Sequence, residues 1–521
     1  MSAVFTQVDV RALAPRPRPI EESVTVGKDI LELLTGSMYV DPLVIYREYI
    51  QNAADSIDEA REAGLMFNEE AGVVISFNHA ERTIILRDNG ASISAADFVH
   101  RLVNIGASQK RGKKLRGFRG VGRLSGLGHC QELIFRGRVE GEAKVSEVRW
   151  DGRALKEKMR DPNYSGDLAT LVKDIVTQTR VPGDGYPERF FEVEMRKIIR
   201  SRNDILLNEE AVRNYISQVA PVPFSKEFSF AKAIEARLTN HGVRPPINIT
   251  LNDGRGPIYH RVQDRIPFSD TVTDTIRGVD FIELRDSDDE ICAVGWIADH
   301  SYSGSIPKRL GVGGVRLRVG DIQVGDEAIL APLFAEPRFA GWAVGDIHVL
   351  SSKILPNGRR DDFDATAAYI HLQGELSFHT KAITHRIRER SGQRNQLRSV
   401  QQHFGAVDVW LNAVAARSMP KIVLKVIQEL SRSRLECVTK EAAKFAPGSE
   451  ELLATNARVA QVAKMIEGLP AHGKGKGSNV LLNTDLEHPI SMVLKTILSS
   501  TKTPDAGIEL SLQVLKALET H

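Results

Sequence analysis

The chain has 521 residues, 42% hydrophobic and 26% charged, the composition of a soluble globular protein too long for one ordinary domain. Its 69 basic and 67 acidic residues leave a net charge of +2, so overall charge draws it to no nucleic acid and any basic patch must be local. Cys130, Cys292 and Cys437 are far apart without metal-ligand spacing, and no apolar run approaches the roughly 20 residues that span a bilayer. No signal-peptide core is seen between Met1 and Pro19, and together these features predict a cytoplasmic protein without a membrane segment.

Residues 1–22 include Arg–Pro–Arg–Pro and read as an extended N-terminal segment. Asp41–Pro42 then supplies a cap and a first-turn proline for a helix running to Arg61 or Ala63, before Gly64. Val73–Phe77 and Thr83–Arg87 are β-rich runs around a short polar turn, an antiparallel hairpin. Ser94–Ala–Ala–Asp97 is an Asp variant of the capping box. After the irregular, glycine-rich and basic stretch 104–128, Leu133–Arg138 and Lys144–Trp150 read as paired strands and Phe190–Arg196 as another. Helices alternating with antiparallel strands predict an α+β protein built on an α/β sandwich, not a parallel doubly wound sheet. A helix at Glu209–Val219 stops at Pro221 and Pro223. The mixed region after it has strands at Ile247–Leu251, Phe281–Leu284, Ala293–Ile297 and Val315–Val319. From about 395 onward the pattern is helical, interrupted by a glycine- and lysine-rich flexible loop at 472–478.

Three motifs carry chemistry. Glu48, Asn52 and Asp55 are four and three residues apart, so all three project from one helix face, bordered by Leu43, Ile50 and Ile57. A carboxylate beside an amide suits two jobs: Glu48 activating a water, the Asn52 carbonyl binding a hard cation such as magnesium. Asp88 ends an apolar strand and is followed by Gly90, where the backbone turns tightly and a flat ring can approach. Such a carboxylate can accept the exocyclic amino hydrogen of adenine. Lys110, Arg111, Lys113, Lys114, Arg116, Arg119 and Arg123 then crowd among glycines 112, 117, 120 and 122, an anion cradle of cations and exposed backbone N–H groups. Taken singly, each has a bland reading: a solvated polar stripe, a common Asp–Asn–Gly turn, a basic loop that would also suit a nucleic-acid backbone. Their order along the chain favours a magnesium–ATP pocket.

In that order the motifs resemble those of the GHKL ATPases, the superfamily of gyrase B, the ninety-kilodalton heat-shock chaperones, histidine kinases and MutL. Glu48/Asn52/Asp55 resemble the N-box, Asp88–Asn–Gly90 the adenine box, and Gly117–Phe–Arg–Gly120–Val121–Gly122 the lid glycine box. The wording is most similar to the HtpG branch, with MORC-type ATPases next. The resemblance implies a Bergerat-type ATP-binding domain at 23–205 with a mobile lid at about 104–128, a mixed α/β middle domain at 206–390 and a helical, dimerising C-terminal domain at 391–521. It also implies Glu48 as general base, Asn52 as magnesium ligand, Asp55 within the ATP pocket, and Asp88 with Gly90 at the adenine. Gly117, Gly120, Val121 and Gly122 would lie around the phosphates, while Ser108 and Lys110 lie near a lid Thr and Lys of the chaperones, offset by one residue. In the middle domain Arg360, with Arg359 as rival, matches an arginine sent to the terminal phosphate; the competing reading is an exposed basic turn after Pro–Asn–Gly. Two departures stand out. Ser92 replaces the second glycine of the adenine box, and Arg189–Phe190 stand where a Gly–Thr pair usually supports the aspartate with its hydroxyl.

The implied function is an ATP-driven clamp acting on a protein client, as a homodimer. The alternative is a MutL- or MORC-like clamp on DNA, in genome maintenance or phage defence, for which Lys308, Arg309, Arg316 and Arg318 offer a basic patch. A third reading is a nucleotide-sensing scaffold without turnover.

Overall fold

The computed structural model describes residues 26–32, 41–66, 70–105, 122–200, 202–416, 419–469 and 484–519. It is an α+β protein with two compact units: the described residues up to His300 together with Gly304–Thr380, and those from Lys381 onward with Ser301–Ser303.

The first unit opens with the short helix α1 (Asp29–Glu32) and the site helix α2 (Val44–Glu62). Strands β1 (Gly72–Asn78) and β2 (Thr83–Asp88) form the expected antiparallel hairpin, with Val73 opposite Asp88. Helix α3 (Phe98–Val103) follows Ser94, whose hydroxyl donates to the Asp97 carboxylate at 2.9 Å and accepts the Asp97 N–H at 3.3 Å. Next come a 3-10 turn at Gly122–Gly128, β3 (Glu132–Arg138), β4 (Lys144–Asp151), α4 (Gly152–Arg160), α5 (Leu168–Ile175), β5 (Val176–Pro182), β6 (Phe190–Arg196), α6 (Glu209–Val219) and α7 (Ala231–Asn240). Strand β7 (Asn248–Leu251) then returns to the first sheet, whose order is β5-β4-β3-β6-β2-β1-β7. All its neighbours are antiparallel except β1 and β7, which run parallel with Val73 opposite Ile249. The Ile247–Leu251 strand read with the mixed region therefore completes the first sheet.

Alternation along the strands sets the two faces of this sheet. Val193 and Met195 of β6 join Tyr46, Ile50, Ala54 and Ile57 of α2 in the core. The intervening Glu192 and Glu194 face the other way and share Arg136, at 2.9 and 2.6 Å, with Glu147 at 2.7 Å. Arg136 is thus a buried cation with three carboxylates around it, which pay most of its desolvation cost.

A hairpin of β8 (Arg265–Pro267) and β9 (Thr273–Thr275) precedes the second sheet. That sheet comprises β10 (Gly278–Arg285), β11 (Ile291–Asp299), β12 (Gly314–Val319), β13 (Ile322–Val324) and β14 (Val344–Val349) in the order β10-β11-β14-β12-β13, with β12 and β14 parallel. Arg316 and Arg318, read above as part of a basic surface patch, are 3% and 2% exposed. Arg318 Nε donates to Asp346 of β14 at 2.7 Å and its Nη2 to the Gln218 carbonyl at 2.8 Å; Arg316 Nη2 reaches Gln218 Oε1 at 3.1 Å. A neighbouring strand supplies the counter-charge that solvent would otherwise provide, leaving only Lys308 and Arg309 of that patch outside the buried cluster.

The second unit is helical. Helix α8 (Ala367–Ala416) leads into it, followed by α9 (Lys421–Ala442), α10 (Glu450–Glu467), α11 (Thr484–Ser500) and α12 (Pro504–Glu519), around a core that includes Trp410, Val423, Ile427, Val462, Leu494 and Ile508. No helix among the described residues is long and apolar enough to cross a membrane. The loop 472–478 lies outside them.

His348 of β14 is buried beside Asp346, 3.6 Å from Asp321, and burial pushes its imidazole down to about 3. The folded state keeps it neutral while the unfolded chain takes up a proton near pH 6.5. Stability is therefore expected to fall as pH drops from about 6.5 towards 3, and His348→Gln to remove part of that loss; melting temperature against pH measures both.

Candidate functional site

Helix α2 carries an unusual load of buried polar groups: Glu48, Gln51, Asp55 and Asp58 are all 5% exposed or less. Its amphipathic spacing turns apolar residues to the sheet, but the polar face is also covered, so each charge needs a partner or a function. Asp58 has Arg244 at 2.9 Å and Arg61 at 3.3 Å. Glu48 differs. Arg47 Nη2 and Arg360 Nε lie 3.6 and 3.5 Å from Oε1, at ion-pair range, yet Oε1 makes no hydrogen bond among the described residues. Behind the other oxygen stands Gly122, where any Cβ would collide with Glu48 Oε2. Asn52, one turn along, is half-buried, and Asp55 is 1% exposed.

Arg360 reaches Glu48 from the turn after β14. It is 8% exposed while Arg359 is exposed, so the choice between the neighbouring arginines falls on Arg360 as the side chain beside Glu48. The backbone at Arg360 is left-handed (φ 59°), a conformation costing a non-glycine residue about 1 kcal/mol. Its carbonyl accepts the Gly325 N–H at 2.9 Å, its N–H donates to Asn357 at 3.2 Å, and Arg47 Nη2 donates to the Arg359 carbonyl at 3.1 Å. The exposed-turn reading fails for Arg360 itself.

Asp88 closes β2, 3% exposed, opposite Phe191 of β6. Burial lifts its carboxyl to about 7, opposed by the Gly90 N–H at 2.9 Å and by the Ser56 hydroxyl. Gly90 is required where it stands, since a Cβ would lie 2.5 Å from the Ser56 carbonyl carbon and 2.6 Å from the Ile57 nitrogen. Ser92 adopts the left-handed conformation (φ 64°) that favours glycine, and its hydroxyl donates to the Phe190 carbonyl at 2.7 Å. Arg189 holds the same turn from outside, donating to the Leu65 carbonyl at 2.7 Å and to the Asn89 carbonyl at 3.4 Å. Neither Arg189 nor Phe190 offers a hydroxyl to Asp88; Ser56 does. Sequence reasoning missed Ser56, although it lies four residues after Asn52 and so shares its helix face.

The 3-10 turn at Gly122–Gly128 packs on α2, the Gly126 N–H donating to the Tyr49 hydroxyl at 3.0 Å. Arg123 donates to the Asn104 carbonyl, and burial near Arg101 lowers its guanidinium to about 10. Ser108, Lys110, Gly117, Gly120 and Val121 lie outside the described residues. The structure thus brings Glu48, Gly122 and Arg360 together, and sets Asp88 with Gly90 against Ser56, eight residues further along the same helix, roughly 12 Å at 1.5 Å per residue.

No family model matches the chain. Part of it is similar to the chaperone protein HtpG of several bacteria. It is 32% identical over 139 residues to that of Polaromonas naphthalenivorans, covering 23% of this chain and 22% of the chaperone. The figures are 30% over 141 residues for Aliivibrio fischeri (24% and 22%) and 27% over 198 residues for Chromobacterium violaceum (34% and 30%). The chain therefore spans less than a third of the length of these curated relatives.

Gly122→Ala is expected to force the Glu48 carboxylate or the 3-10 turn aside, at about 1–3 kcal/mol of stability. Urea denaturation measures it; an unchanged midpoint would mean the contact is easily relieved.

Proposed function

We propose that the protein is an HtpG-like, chaperone-type ATPase, a conformational clamp that hydrolyses ATP with magnesium to remodel a protein client. The observation that carries this reading is the buried Glu48 carboxylate, lacking a hydrogen bond on Oε1 among the described residues and faced by Arg360 from the segment after the second sheet. The similarity to HtpG supports the chaperone class.

In this reading Asp88 accepts the exocyclic amine of adenine at one end of α2, and Glu48 works at the other. The span between them suits an extended nucleotide laid along the helix. Glu48 orients a water and takes its proton as the oxygen attacks the terminal phosphate. Arg360 offsets charge on the transferred group, and because it sits on a turn in the segment after the second sheet, catalysis depends on how that segment docks. A hard cation such as magnesium would be held by the Asn52 carbonyl together with phosphate oxygens, an all-oxygen donor set that suits it. Bound there, magnesium would neutralise phosphate charge. Arg47 and Arg360 shield Glu48 until substrate arrives, which keeps a buried carboxylate tolerable in the resting state. The homodimer is part of the same proposal, assigned to the helical unit.

Of the basic residues that permit the DNA-clamp alternative, Arg318 is buried in an ion pair with Asp346 and Arg316 is buried with hydrogen bonds to Gln218 and Gly311, while Lys110 to Arg119 of the basic lid lie outside the described residues.

Glu48→Ala is expected to bind Mg–ATP and not hydrolyse it, and Asp88→Asn to lose binding. Arg360→Ala should bind while turning over roughly a hundredfold slower or worse. Calorimetry paired with a phosphate-release assay separates the three. Normal turnover by Glu48→Ala would refute the base assignment, and no heat from Mg–ATP with the folded wild-type chain would sink the reading as a whole.

A further inference from the structure

Contacts from both sides of the turn after Asp88 converge on Ser56. Its hydroxyl lowers the Asp88 carboxyl against the push of burial and accepts the Ser92 N–H at 3.3 Å. Its carbonyl accepts the Ala91 N–H at 2.9 Å. Its backbone presses so closely on Gly90 that no side chain fits between them. One helical residue therefore pins both sides of the turn that follows Asp88 to the helix bearing Glu48 and Asn52.

We propose that Ser56 is a positioning residue for base selection: it orients the Asp88 carboxylate as an acceptor for the exocyclic amine of adenine. This deepens the ATPase reading and rests on it. The chemistry follows from hydrogen-bond capacity. An ionised carboxylate has about four acceptor positions, and the Gly90 N–H occupies one, leaving room for the Ser56 hydroxyl and an incoming N–H. A protonated Asp88 would instead turn a donor towards the amine, and burial alone pushes it in that direction. The Ser56 hydroxyl opposes that push by donating to the charged form. The charged side chains around the turn are otherwise engaged. Arg87, one residue before Asp88, pairs with Glu192 on the opposite sheet face, and Arg189 is held by the Leu65 and Asn89 carbonyls. Asp55 is the adjacent carboxylate on α2, 1% exposed.

Calorimetry on the full chain with Mg–ATP and with magnesium and purine riboside triphosphate, which lacks the amine, tests this between about pH 6 and pH 9. The wild type should prefer ATP, with affinity rising through about pH 7 as Asp88 ionises. Ser56→Ala should move that midpoint to higher pH and cut the preference for ATP about tenfold at neutral pH, with little change for the other nucleotide. Ser56→Cys, a weaker donor of similar size, should fall between, and melting curves establish that both variants fold. A merely structural role would weaken both nucleotides alike and leave the midpoint in place. Wild-type selectivity that persists unchanged in both variants overturns the role of Ser56 and leaves the ATPase reading standing. Binding of neither nucleotide by the wild type overturns both.

Discussion

A helix laid on a sheet normally keeps its charged residues at the solvent edge. Here the polar face of α2 is covered as well, and five side chains that would ordinarily be hydrated, Arg47, Glu48, Gln51, Asp55 and Asp58, are each 5% exposed or less. Burying a carboxylate is costly unless something answers its charge. The surroundings of α2 are arranged around that need: Arg244 from the segment before β7 answers Asp58, the Asp88 turn is stitched to Ser56, and Arg47 with Arg360 flank Glu48. Among the described residues Glu48 and Gln51 of this helix each keep one side-chain oxygen without a hydrogen bond, and of the two Glu48 carries the charge, which is where incomplete compensation and the proposed chemistry coincide.

The second sheet takes part in this through a rigid electrostatic knot. Arg318, Asp346 and His260 lie within 3.3 Å of one another, fully inside the protein, and Arg318 also grips the end of α6 through the Gln218 carbonyl. Asp346 is held well below the usual carboxylate range by Arg318 and by its hydrogen bond with His260, despite its burial. Such a knot fixes β12 and β14 against α6, and the turn bearing Arg360 follows directly from β14. Positional accuracy at Arg360 thus comes from strands whose own charges are internally satisfied.

Local pattern in the sequence carried much of this. The alternation in Val73–Phe77 and Thr83–Arg87, the Ser94–Asp97 box and the four-and-three spacing of Glu48, Asn52 and Asp55 are all short-range signals, and the structure places each element accordingly. What escaped was long-range. The parallel pairing of β7 with β1 joins residues more than 170 positions apart, and no local periodicity encodes it. Arg316 and Arg318 looked solvent-facing because their counter-charge lies on another strand. Ser92 read as a departure from the adenine-box glycine, whereas it takes the left-handed conformation that favours glycine, with its hydroxyl bonded to the Phe190 carbonyl. Ser56 carried no signal as a residue type; only its register with Asn52 pointed to it.

The parallel strand β7 has a consequence for how the molecule is made. The first sheet lacks its final member until residue 251 has emerged from the ribosome, well after α6 and α7 have been synthesised. Until then β1 presents an open edge of unpaired backbone groups, a template for pairing with other nascent chains. A fragment ending at residue 205 would carry that edge permanently, so aggregation of such a piece would report on a missing strand and not on a failure of the nucleotide pocket.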